Sequence, residues 1–100
     1  MPYAIGLIRY RRPLEEVLSH LEVHRAYLRG LNEQGILLVS GPFSPRNGGA
    51  LILRLPEGDG NLEAQLDRIR DNDPFVKTGV AQYELLVWEP TFGLEALDKL

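Results

Sequence analysis

Two stretches with the period of an amphipathic helix, each flanked by short runs with the period of a strand, constrain this chain most. In the first half, Tyr3 to Tyr10 (YAIGLIRY) is rich in β formers. It reads as a strand with Tyr3, Ile5 and Leu7 on one face and Ala4, Gly6 and Ile8 on the other. Pro13 opens a helix, where its missing N–H costs nothing, and Glu15 and Glu16 suit the first turn. Leu14, Val17, Leu21, Leu28 and Leu31 carry the apolar stripe to Glu33, and Gly35 supplies the left-handed stop. Ile36 to Ser40 (ILLVS) is a second strand, ended by Gly41 and Pro42, with Pro42 expected to halt ladder pairing. In the second half, Ala50 to Leu55 (ALILRL) is a strand and Pro56 to Asn61 a turn cluster with Asn61 as N-cap. Leu62 to Asp71 is a helix facing Leu62, Leu66 and Ile69 inward. Ala81 to Trp88 (AQYELLVW) is the last strand, and residues 91–100 form a tail with a short helix through Leu94 and Leu97.

The order β-α-β-β-α-β predicts an α+β fold of the ferredoxin-like plan. Two right-handed β-α-β halves interleave into a four-stranded antiparallel sheet with two helices on one face. The other face should then be polar in a monomer. Here it is not: strand one is apolar on both sides, and the third strand has Ala50 and Ile52 opposite Leu51, Leu53 and Leu55. An apolar face of that size marks an interface, so a homodimer joined through the sheets is expected.

The length of 100 residues suits one domain with a modest core, spanning 1–100. A net charge of −3 argues against bulk binding to nucleic acid or anionic membranes. Without cysteine there is no disulfide, thiolate nucleophile or zinc–cysteine site. No apolar run is long enough for a membrane span, and no secretory segment follows Met1, so a cytoplasmic location is expected.

The candidate chemistry lies in one histidine and one distant loop. His24 occupies the slot between Leu21 and Leu28 on the apolar stripe. At about 100° per residue it sits within roughly 40° of the centre of that face. It is either a core histidine with a polar partner or a working imidazole lining a pocket. His20 lies at the edge of the face, where solvent reaches it. The loop is Asp73-Pro74-Phe75-Val76-Lys77-Thr78-Gly79. Pro74 stops the preceding helix near Asn72 or Asp73. Asp73 is either a turn starter or a carboxylate that orients a partner. The arginines at 9, 11 and 12 read as a solvated strand end, with anion binding as the lesser alternative. Glu22 and Arg25 read as a solvating i,i+3 pair. The loop from Phe43 to Gly49 reads as a hairpin connection, because it lacks a P-loop lysine and a GxGxxG pattern.

Several of these residues together resemble the YCII-related domain family of the dimeric α+β barrel group. They are His24, Gly35, the Gly41-Pro42 pair, Asp73-Pro74-Phe75 with Gly79 six residues after the aspartate, and Trp88 near the end of strand four. The resemblance covers nearly the whole chain. It departs at Arg25, where a leucine commonly follows the family histidine. It implies a sheet-to-sheet dimer with a small pocket in which His24 and Asp73 form a catalytic-type dyad. Ser40, Gly41, Pro42 and Phe75 are the expected substrate-binding neighbours. Relatives include lyases that remove chloride from chlorinated hydroxyquinones, and muconolactone isomerases share the fold group.

Such a pair suits proton transfer. A carboxylate that holds one ring nitrogen leaves the other free to accept a proton next to a carbonyl. No cofactor and no metal is implied, since no HExxH-type spacing is present. A serine triad lacks its GxSxG turn, and Ser40 has no base near it in sequence. The leading expectation is a cofactor-free lyase or isomerase acting on a small molecule. The alternative is a non-catalytic module that binds a small ligand or supports a partner. Nucleic-acid binding is disfavoured by the lack of a basic, aromatic sheet face.

Overall fold

A computed structural model describes residues 2–58 and 60–100; of the predicted turn cluster, Asp59 lies outside the described residues. The elements in chain order are β1 (Tyr3–Tyr10), α1 (Leu14–Leu18), α2 (Leu21–Glu33), β2 (Leu37–Pro42), β3 (Gly48–Arg54), α3 (Leu62–Asn72), α4 (Pro74–Lys77), β4 (Ala81–Trp88) and α5 (Leu94–Asp98). The sheet has four strands in the order β2-β3-β1-β4, and every pairing is antiparallel. This is the ferredoxin-like α+β arrangement expected from the element order.

Strand alternation sets the two faces. Ala4 and Ile8 of β1, Leu51 and Leu53 of β3 and Tyr83 of β4 are buried on the side of α1 to α4, with Val17, Leu31, Leu66, Ile69 and Phe75. The other face carries Ile5, Leu7, Ala50 and Ile52, none of them fully buried, and the more exposed Val39 and Leu86. One end of that face is covered by α5. The Tyr3 hydroxyl donates to Asp98, and the Arg54 guanidinium donates to the carbonyl of Leu100 at 2.8 Å.

The first predicted helix is two helices. Ser19 donates through its Oγ to the Glu16 carbonyl at 2.6 Å, and the His20 N–H bonds back to Val17 in a tighter turn. His20 leaves helical geometry at φ −109°, and its carbonyl then accepts the His24 N–H, starting α2 afresh. A serine that bonds the preceding turn competes with straight helix propagation in this way. Leu14, at the start of α1, is 41% exposed although the single-helix spacing places it on the inner stripe.

Gly35 closes α2 as expected, at φ +78°. The Ile36 N–H reaches the Leu31 carbonyl and the Gly35 N–H reaches Asn32, a paired closure that satisfies orphan carbonyls. Pro42 does not halt pairing: it sits opposite Gly49 at the end of β2. β2 is an edge strand, where a missing N–H can face away from the ladder. A close backbone approach in the hairpin falls at Gly48. A Cβ on Gly48 would lie 2.0 Å from the Ile8 carbonyl oxygen, whereas one on Gly41 would meet nothing within 4 Å.

Candidate active site

His24 stands in the first turn of α2, and its side chain is turned to the sheet by the leucines at 21, 28 and 31. It is 6% exposed. Its ring lies flat on Phe75, with centroids 3.8 Å apart and planes 4° apart. Tyr10 meets Phe75 edge-on at 6.0 Å, so the phenyl ring is held on two sides. His24 Nδ1 is 2.8 Å from Asp73 Oδ1. The two residues are 49 positions apart in the chain and meet because α2 and α4 pack on the same face of the sheet.

Asp73 is held by local chemistry that the turn reading misses. It ends α3 and, with extended geometry, N-caps α4: its Oδ1 accepts the Phe75 main-chain N–H at 2.8 Å. Pro74 follows at the first helical position, where a proline belongs. The predicted loop between Asp73 and Gly79 is therefore a one-turn helix. Gly79, at φ +73°, closes it with the same paired bonds that close α2: Val80 N–H to the Phe75 carbonyl and Gly79 N–H to Val76.

The Asp73 carboxylate is fully buried and takes three donors: His24 Nδ1–H, Phe75 N–H and the Tyr83 hydroxyl on Oδ2. Hydrogen bonds to a charged group contribute about 1.5–3 kcal/mol each, enough together to offset several kcal/mol of desolvation. With both oxygens acting as acceptors, the proton in the His24–Asp73 bond belongs to Nδ1. Nε2 then carries the lone pair. It has no protein partner, yet no side-chain nitrogen or oxygen among the described residues is both buried and unpartnered. Nε2 therefore opens onto space.

That space is a cavity of about 250 Å³ between α2, the β2–β3 hairpin and the sheet. His24, Ser40, Gly41, Pro42 and Phe75, all singled out in the sequence, line it. Asp73 stands behind His24 and does not reach the cavity. His20 and the arginines at 9, 11 and 12 stay outside it, and Arg12 pairs with Glu16. Among the described residues no group of three His, Cys, Asp or Glu side chains comes together as a metal would require.

Three features escape the sequence reading. Tyr83 completes the carboxylate's hydrogen bonds, although the sequence marks it only as a residue of the last strand. Tyr27 bonds the Ile69 carbonyl at 2.8 Å and ties α2 to α3; burial first, and the charge of Asp73 second, push its hydroxyl up to about 12. Arg25 makes no pair with Glu22 and lines the cavity together with Arg46 of the hairpin. The departure of Arg25 from the common leucine was the available signal for that.

No curated protein matches the sequence significantly. Among solved structures, the chain is similar to 5-chloro-2-hydroxyhydroquinone dehydrochlorinase (TftG) from Burkholderia phenoliruptrix AC1100, determined in complex with 2,5-dihydroxybenzoquinone. The two share 24% identity over 91% of this chain and 96% of that one, with a TM-score of 0.68. At that identity the likeness concerns the fold, and it agrees with the strand order found here. The profile of the YCII-related domain matches residues 1–89. With nine-tenths of its length matched, from β1 through β4, this chain belongs to the YCII-related domain family.

Proposed function

We propose that the protein is a cofactor-free lyase or isomerase of small cyclic carbonyl compounds, with His24 as general acid/base and Asp73 as its positioning residue. The observation that carries this reading is the oriented imidazole: Nδ1 is engaged by a buried carboxylate and Nε2 faces an open cavity. A purely structural histidine would have both nitrogens satisfied or sealed in the core. TftG, of similar fold, is named a dehydrochlorinase and was captured with a hydroxylated quinone, which supports the same class of chemistry.

In the proposed reaction, Nε2 removes a proton from a carbon or hydroxyl next to the carbonyl. The electron pair of the broken bond becomes a new double bond. In a lyase the leaving group departs with its own bonding pair as an anion. In an isomerase the imidazolium returns the proton to a different carbon. Asp73 stabilises the imidazolium through Nδ1 and keeps the ring in one tautomer. Ser40, Gly41, Pro42 and Phe75 bind the substrate as the cavity wall. Residues 1–100 act as one domain, as a cytoplasmic homodimer joined through the faces that bear Ile5, Ile52 and Leu86.

The test measures chloride release from 5-chloro-2-hydroxyhydroquinone and solvent deuterium exchange into a panel of cyclic ketones. Turnover of either kind that falls about 10²–10⁴-fold in His24→Gln is the expected result. Saturable ligand binding with no turnover by the parent protein on any compound would mean a non-catalytic binding module instead.

A further inference from the structure

The protein carries a net charge of −3, yet the cavity wall holds Arg25, Arg46 and His24 and not one aspartate or glutamate. Neither arginine has an ion-pair or hydrogen-bond partner among the described residues. Other arginines do find acidic partners: Arg12 pairs with Glu16, and Arg70 with Asp67 and Asp71. Two unpaired guanidinium groups on one concavity, whose remaining wall is apolar side chains, glycine, His24, Tyr10 and Ser40, leave uncompensated positive charge that an anionic occupant can neutralise.

The two arginines come from different elements. Arg25 follows His24 on α2, and Arg46 lies in the turn between β2 and β3. Both are exposed, so they stand at the mouth, while Phe75, Ile8 and Leu51 are buried and form the floor. A second groove shares Arg25, Leu28 and Ser40 with the cavity and adds Arg29, again without an acidic residue. The arrangement is therefore graded, from an apolar interior with an imidazole to a mouth rich in guanidinium donors. Guanidinium matches the planar oxygens of carboxylates and ionised enols.

We infer that the cavity takes a cyclic acid: a small ring seated against Phe75 and Leu51, with a carboxylate or ionised enol oxygen held at the mouth by Arg25 and Arg46. This rests on the reading of the cavity as a substrate site and names the class of substrate. It does not depend on His24 performing chemistry. The arginines act as an anchor remote from the reacting carbon and fix which edge of the ring meets Nε2.

Binding to the intact protein is measured by ligand-detected NMR and calorimetry with two probe pairs. Benzoate against benzamide tests the carboxylate, and 2,5-dihydroxybenzoquinone against neutral hydroquinone tests the ionised enol. The expected result is saturable binding of at least one anion, weaker binding of its neutral counterpart, and weakening with added salt. Arg25→Gln and Arg46→Gln should each cost about tenfold in affinity for that anion. Arg11→Gln, which changes net charge equally but lies away from the cavity, should cost little. His24→Gln should keep the anion selectivity, which separates this inference from the catalytic one. Neutral probes binding as tightly as the anions, a double arginine variant binding as well as the parent, or no saturable anion binding would each overturn the assignment.

Discussion

At His24 the chemistry turns on which ring nitrogen carries the proton, and that is set by Asp73. Asp73→Asn keeps the size of the side chain but can present an N–H to Nδ1. That moves the ring proton to Nε2 and removes the base. Activity should fall about 10²–10⁴-fold while circular dichroism stays native. Activity within a few-fold of the parent would rule out the orienting role. Tyr83 acts one step further back, as a donor to Asp73 Oδ2. Tyr83→Phe leaves that oxygen one bond short and should cost about 1.5–3 kcal/mol, roughly 10 °C in melting temperature. It should also lower kcat with little change in KM, since no substrate contact is lost. A change confined to KM would place Tyr83 in the binding wall instead. The spacing of the leucines around His24 marks the histidine from sequence. Nothing local marks Tyr83, because its partner lies ten residues upstream in a separate element.

At the scale of the element, the segment from Asp73 to Gly79 does most of the positioning. It combines an N-cap aspartate, a proline at the first helical position and a glycine in left-handed geometry, three conformational locks in seven residues. The result is that Phe75 faces His24 and the carboxylate faces Nδ1. Gly79→Ala forces a side chain into positive φ and should cost about 1 kcal/mol, read as a lower urea midpoint with unchanged m. An unchanged midpoint would show that the left-handed closure is not what holds α4. The residues for this helix are all visible in the sequence, but Pro74 acts there both as the stop of α3 and as the start of α4, and only the first role follows from its effect on the preceding residue. The break at Ser19 and His20 is harder to foresee, since the Oγ bond to Glu16 competes with a helix that the leucine spacing favours.

At the scale of the whole molecule, the sheet is covered by α1 to α4 on one face and only at one end by α5 on the other. The uncovered part carries Val39 and Leu86, each about half exposed, beside Ile5 and Ile52. A sheet-to-sheet homodimer would bury them. Sedimentation equilibrium should give twice the chain mass of 11.3 kDa, and Leu86→Glu should shift the protein towards monomer. A parent protein that sediments as a monomer at micromolar concentration would refute the dimer. Among the described residues no helix is long and apolar enough to cross a membrane.

By itself the sequence determined the order of the strands and of the two main helical stretches, and the two-sided alternation of β1 and β3. Resemblance to the YCII-related family, and not local geometry, marked His24, Gly35, Gly41, Pro42, Asp73 and Phe75 as a set. The order of elements follows from periodicity, glycine geometry and proline sterics, all of which act within a few residues. Tertiary structure alone decided that Nδ1 meets Asp73, that Tyr83 supports that carboxylate, and that Arg25 and Arg46 share a cavity. Each of these joins segments far apart in the chain. Such contacts are fixed only when the two halves pack on one sheet and bring α2, α4, β4 and the hairpin to the same end.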